Sequence, residues 1–202
     1  MIQVALAGCG HWGFNYLRIL QFMEEAQIVS VCDRENAPLE KISKQYPRVK
    51  IAREFPSVLE DSKVNAVIIA TPASTHYELV KQSLESGKHV LVEKPLALSV
   101  TEAQALVRLA QNQKRTLMVG HTFLYNPAVR KMKEYIAKGA LGKIYYLQAI
   151  RTHLGLIRSD VSSVWDLAPH DVSIFSYLLE RQPAKVSAVG VSHLKKDLQD
   201  VA

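Results

Sequence analysis

Val4-Ala-Leu-Ala-Gly8-Cys-Gly10-His-Trp-Gly13 is the stretch on which the fold turns: an apolar run, three glycines, then a helical pattern expected from about Phe14 to Met23. Gly8 permits a tight turn out of a strand. Gly10 lets the backbone approach a pyrophosphate with no Cβ in the way, and Gly13 lets the helix pack against the strand. The helix then points its unsatisfied N–H groups and positive dipole end at the phosphates. A second apolar run, Ile28 to Cys32, ends at Asp33, about twenty residues past Gly13, where a carboxylate can take both hydroxyls of an adenosine ribose. A glycine-rich turn with no ligand is the plain alternative; strand, glycines, helix and acid in register argue against it.

Outward from this stretch, strands and helices alternate. A helix near Ala37 to Gln45 precedes a short strand near Val49 to Ala52, and Ser57-Val-Leu-Glu60 has the spacing of a capping box. Ala66 to Ala70 is unbroken apolar, as a parallel strand buried on both faces requires, and runs into Thr71-Pro72. Thr75-His-Tyr-Glu78 offers another capping box for a helix that Gly87 ends. His89 to Val92 is the next strand, followed by Glu93-Lys94-Pro95, a helix opened by Ser99-Val-Thr-Glu102, and a strand from Thr116 to Val119. Repeated units of this kind make an open parallel sheet with right-handed crossovers. From Gly120 the rhythm changes. A helix over about Pro127 to Lys138, breakers at Gly139 and Gly142, an alternating strand-like run from Lys143 to Leu154, a helix through Leu179 and a strand from Lys185 to His193 read as the start of a second, α+β domain. The expected division is 1–121 and 122–202.

The 202 residues are 48% hydrophobic and 22% charged, an ordinary globular composition. No basic leader, cleavage-like site or membrane-length apolar run is visible, so a cytoplasmic protein without membrane contact is expected. Cys9 and Cys32 read as small buried thiols, with no metal site. The net charge of +6 sits in the second half: nine Lys or Arg lie from Arg108 to Arg151 against the single acid Glu134. That excess could draw an anionic substrate, but no nucleic-acid-binding pattern accompanies it, and solvated helix faces explain it as well.

In a doubly wound sheet, ligands sit beyond the carboxyl ends of the strands, which places Gly8, Asp33, Thr71 and Glu93 on one rim. Thr71 and Pro72 can line the dinucleotide, and His76 could reach its phosphates or ribose, or simply pack. Lys94 follows a buried strand and precedes a proline, so its ammonium can project toward the cleft and hold a substrate oxygen, while Glu93 binds ribose or fixes the lysine. Pro95 could follow a cis peptide. Asp166 and His170 are a second pair: with Pro169 at the first helical position, a turn could bring them together. The helix dipole favours neutral imidazole there and the neighbouring carboxylates favour imidazolium, which leaves both open. A cap and a packing residue would produce the same pattern.

The combination Gly8-Cys-Gly10-His-Trp-Gly13, Ala70-Thr71-Pro72 with His76, Val92-Glu93-Lys94-Pro95, Val119-Gly120-His121, and Asp166 with His170 resembles the Gfo/Idh/MocA family, the glucose-fructose oxidoreductase and inositol dehydrogenase group. The resemblance implies an N-terminal Rossmann domain, a C-terminal domain whose broad, mainly antiparallel sheet often mediates homo-oligomerisation, and NAD(P)-dependent oxidation of a sugar, cyclitol or related alcohol. It also implies that Lys94, Asp166 and His170 line the reaction centre. Trp165-Asp-Leu-Ala-Pro-His-Asp171 is similar to members acting on nucleotide-linked or amino sugars. Relatives continue through most of the second sheet, so part of a longer protein is expected.

The resulting expectation is hydride transfer between a sugar-like secondary alcohol and nicotinamide, with His170 accepting the hydroxyl proton, Asp166 orienting it and Lys94 positioning the oxygen. Tyr125, Arg151 and Trp165 are candidate substrate contacts; His11, Trp12 and Arg34 join the candidate cofactor contacts. NAD is expected because Asp33 would repel a 2′-phosphate, although Arg34 beside it could accommodate NADP. A dinucleotide-binding sensor without turnover is the alternative: it would keep the glycine loop without needing Lys94 and His170. A methyltransferase is disfavoured by the glycine spacing and by Glu93-Lys94-Pro95.

Overall fold

A computed structural model of the chain describes residues 1–152, 161–194, 196 and 198–202. They fall into two compact units, Met1–Gly120 and His121–Ala202. In the first, β1 (Ile2–Ala7), β2 (Ala26–Cys32), β3 (Lys50–Ala52), β4 (Ala66–Ile69), β5 (His89–Val92) and β6 (Leu117–Val119) form one parallel sheet in the order 3-2-1-4-5-6. The order reverses between β1 and β4, which pair from Val4↔Ala66 to Ala7↔Ile69. At such a switch point a crevice opens beyond the strand ends.

The apolar runs are unbroken because both faces of the central strands are covered. Leu6 and Ile68 face one layer, with Leu17 of α1 (His11–Leu20) and Leu39 and Ile42 of α2 (Asn36–Gln45). Val67 and Ile69 face the other, with Val58 of α3 (Phe55–Leu59), Val80 and Leu84 of α4 (His76–Glu85) and Leu106 of α5 (Val100–Asn112). Each buried aliphatic side chain of this kind contributes about 1.5–3 kcal/mol, so the strand ends are held by a core much larger than any loop contact.

Local signals are met unevenly. α1 begins at His11, three residues ahead of the expected Phe14, because extended Gly10 caps it and the Gly10 carbonyl accepts the Phe14 N–H at 3.0 Å. The capping signal at Ser99 is met: its Oγ accepts the Glu102 N–H at 3.2 Å, and the Glu102 carboxylate accepts the Leu98 N–H at 3.2 Å. At Ser57 and Thr75 the hydroxyls instead donate to the carbonyls of Glu54 and Pro72, at 2.8 and 2.7 Å. A hydroxyl can donate as readily as it accepts, so the same spacing yields a different bond and α3 starts ahead of Ser57.

In the second unit, α6 (Pro127–Ala137) is capped by Asn126 and α7 (Ser163–Leu179) by Ser162. Lys133 of α6 donates to the Leu178 carbonyl at 3.2 Å and pairs with Glu180 at 2.7 Å. Two expectations are corrected here. Pro169 lies inside α7 rather than at its start; Ser162 caps the helix earlier, and the proline, lacking an N–H, cannot donate to the Trp165 carbonyl. The runs Lys143 to Leu154 and Lys185 to His193 form no strand ladder among the described residues, the end of the first, His153 and Leu154, lying outside them. Antiparallel pairing there includes the isolated bridge Val191–Val201, and the expected antiparallel sheet is not shown among the described residues. Alternation makes an apolar face, but a strand also needs a neighbour to complete its hydrogen bonds.

Candidate cofactor site and catalytic side chains

The three glycines do different work. Gly8 has φ +90°, and a Cβ there would stand 2.6 Å from the Ala70 carbonyl carbon and oxygen. At Gly13 a Cβ would overlap the Gly8 carbonyl oxygen and touch Leu6. These two make the turn and the close helix approach possible. Gly10 differs, since a Cβ there would meet no atom within 4 Å. Protein closes around two of the glycines and leaves the space before the third open.

α1 starts immediately after Gly10. The first bond within the helix is made by Phe14, so the N–H groups of His11, Trp12 and Gly13 have no acceptor within the helix and suit an anion. His11 and Trp12 are exposed, their rings edge to face with centroids 6.0 Å apart. Asp33, just past β2, is drawn into the loop: one carboxylate oxygen accepts the Cys9 N–H at 2.6 Å and the other the Glu35 N–H at 2.9 Å. Each oxygen keeps a lone pair for a ribose hydroxyl. Arg34 beside it is exposed. The residues therefore fit a dinucleotide: open backbone at Gly10, donors on α1 for the pyrophosphate and a fixed carboxylate for the ribose.

The flanking thiols do not take part in this. Cys9 is pushed up to about 12 by burial and then by Asp33, and Cys32 to about 11 by burial first and Asp33 second. Both stay protonated and inert at neutral pH.

At the β4 and β5 ends the side chains hold one another. Thr71 is half-buried, its hydroxyl 2.7 Å from that of Thr75, and Pro72 is exposed. His76 is buried, with Nδ1 2.6 Å from the Pro95 carbonyl oxygen and Nε2 2.9 Å from that of Thr71. Of the two expectations for His76 this favours packing over a phosphate or ribose contact: both ring nitrogens face main-chain carbonyls, and the ring joins the Thr71-Pro72 turn to the Lys94-Pro95 turn. The Lys94–Pro95 peptide is cis, and Lys94 is half-buried at the rim. Glu93 is only 8% exposed and accepts the Tyr16 hydroxyl at 2.6 Å. Sequence reasoning missed Tyr16, which is 77 residues from its partner.

The second unit carries its own cluster. Asp166 and His170 lie one turn apart on the same face of α7, both half-buried. The His170 ring meets the Phe123 ring edge to face at 4.8 Å, and the Arg151 guanidinium lies 5.1 Å from the same ring. Arg151 is also bidentate to Asp171, at 2.7 and 2.9 Å. Two of its donors are thus committed within the unit, which narrows the expected substrate role. Trp165 is 40% exposed on α7, and Tyr125 is 56% exposed with Arg130 5.2 Å from its ring. Phe123 and Asp171 are the residues sequence reasoning passed over here. Among the described basic residues, Lys131 and Lys138 both pair with Glu134, as a solvated helix face would.

The sheet order, the glycine loop and Asp33 together define a dinucleotide-binding Rossmann domain. Residues 2–121 match the model of the Gfo/Idh/MocA oxidoreductase family, described as an NAD-binding Rossmann fold, and the chain belongs to that family. It is 33% identical over 193 residues to UDP-N-acetylglucosamine 3-dehydrogenase of Acidithiobacillus ferrooxidans, covering 95% of this chain and 58% of that protein. It is 29% identical over 195 residues to scyllo-inositol 2-dehydrogenase (NAD(+)) of Bacillus subtilis, covering 94% and 57%. Among solved structures, KijD10, a 3-ketoreductase from Actinomadura kijaniata in complex with NADP and TDP-benzene, superposes with TM-score 0.64 at 27% identity, over 68% of this chain and 42% of that one. The chain thus spans well under two thirds of the relatives it matches. No helix among the described residues is long and apolar enough to cross a membrane.

Proposed function

We propose that the protein carrying this chain interconverts a secondary alcohol and a ketone on a sugar, cyclitol or nucleotide sugar, with NAD as its cofactor. The observation that carries this is the glycine loop: closed by protein at Gly8 and Gly13, open at Gly10, and tied at Cys9 to the Asp33 carboxylate. The nicotinamide of a bound dinucleotide would supply the hydride acceptor. His170 takes the hydroxyl proton, Asp166 one turn earlier on α7 orients it, and Lys94 holds the substrate oxygen. The sugar-like substrate class is supported by the names of the two dehydrogenase relatives. NAD is preferred because Asp33 places negative charge where a 2′-phosphate would lie.

The decisive experiment is NADH formation by the whole protein over a panel of sugars, cyclitols and nucleotide sugars, repeated with His170→Ala and Lys94→Ala. Loss of the proton acceptor is expected to lower kcat by about 10²–10⁴ with NADH still bound. Unaltered turnover in either variant defeats the assigned roles; NADH binding with no substrate turned over favours a sensor. Titration of NADH and NADPH tests the cofactor, and tighter NADPH binding overturns the reading of Asp33.

A further inference from the structure

Glu93 is a buried carboxylate on which three elements of the first unit converge. It follows β5, where its own N–H donates to the Ile69 carbonyl at 2.9 Å. From α1 the Tyr16 hydroxyl donates to its Oε1 at 2.6 Å, a short bond of the charge-assisted kind. On the other side stands Gly120, just past β6, whose N–H donates to the Val92 carbonyl at 2.8 Å. A Cβ at Gly120 would lie 3.1 Å from Oε1 and 3.3 Å from Cδ and Oε2, so bare backbone is what leaves room for the carboxylate. A buried carboxylate is costly unless hydrogen-bonded, and here the phenol meets that need while fixing the direction of the side chain.

Two consequences follow from the chain order. The residue after Glu93 is Lys94, so whatever fixes Glu93 fixes the backbone from which Lys94 departs. Tyr16 lies on the helix whose first N–H groups face the phosphate position. We propose that Tyr16 is a positioning residue for Lys94: acting through Glu93, it ties the lysine-bearing turn to the phosphate-facing helix. Burial, and then the bond to Glu93, push the Tyr16 phenol well above its ordinary range, which keeps it a donor at any working pH. The assignment rests on the proposed role of Lys94 at the substrate oxygen, but its test does not require turnover.

The test is trace acetylation of lysines in the chain, read peptide by peptide by mass spectrometry, with exposed Lys44 and Lys63 as internal references. Tyr16→Phe removes one hydroxyl and keeps the ring; it is expected to change the Lys94 labelling rate about fivefold, the factor carried by one hydrogen bond of ordinary net strength, with Lys44 and Lys63 unmoved. Glu93→Ala, which removes the acceptor instead, is expected to do the same, and the double variant no more than either single. In the whole protein, Tyr16→Phe is expected to lower kcat about tenfold while the NADH Kd moves less than about twofold. Unchanged Lys94 labelling in both single variants, or effects that add in the double, overturns the proposal. A labelling shift in a protein that oxidises no alcohol leaves Tyr16 as the residue that positions Lys94 and removes the proposed function instead.

Discussion

Leu6, in the central strand of the first unit, is wholly buried, whereas Tyr145 and Val186 of the second are each 82% exposed. In the first unit the loops bearing functional groups leave strands clamped on both faces, so their positions follow from the core. In the second, the described contacts around α7 include aromatic and charged ones, His170 against Phe123 and Arg151 against Phe123 and Asp171. The same kind of residue therefore answers to different forces. A buried change in the first unit acts against the whole core, and a change on the second meets fewer packed neighbours.

The hardest challenge to that contrast is Gly13→Ala. The new methyl has to displace the Gly8 carbonyl, which is main chain at a turn with φ +90° and cannot swing aside as a flexible side chain would. The expected cost is about 3 kcal/mol, read as a lowered denaturant midpoint, with NADH binding lost alongside. A variant of wild-type stability would show that the loop is softer than its packing implies.

Gly10→Ala sharpens the comparison by separating fold from function three residues away. Its methyl meets no protein atom within 4 Å, and the backbone there is extended with φ −75°. Stability should stay within about 0.5 kcal/mol of wild type. NADH binding should weaken about tenfold or more, because the methyl occupies the path of the pyrophosphate. Fluorescence titration of NADH checks this, and undiminished affinity would mean that the phosphates lie elsewhere.

These glycines were legible because their task is local: turn, cap and helix approach are all written within a few residues of β1. The buried strands were legible for a related reason, since burial on both faces leaves unbroken apolar runs. Tyr16 was not, because the partner that gives it meaning is 77 residues away and only the sheet order brings the two together. His76 was seen but left open between a ligand contact and packing: its spacing after Thr71-Pro72 marks a helix start, while its partners, the carbonyls of Thr71 and Pro95, carry no side-chain signature. The runs after Lys143 and Lys185 show the opposite failure. Alternation is a statement about faces, and a strand is made by its neighbour.

The smallest expected effect belongs to the exposed face of the second unit. Glu134 accepts hydrogen bonds from Lys138 at 2.6 Å and Lys131 at 2.9 Å, and these ammonium groups hold its carboxyl below the usual carboxylate range, Lys138 foremost. A carboxyl depressed in the folded state binds its proton less tightly there than in the unfolded chain. Its contribution is therefore present above the unfolded value and lost as pH falls through the folded one. Solvent contact and salt screening keep that contribution small. Glu134→Gln should lower the thermal midpoint slightly at about pH 7, and the difference from wild type should shrink as the solution is acidified through the depressed value of the folded carboxyl and vanish once both states carry the proton. A difference that persists in acid would assign the effect to helix propensity in α6 rather than to charge, and would remove the ion pairs from the forces that hold this unit.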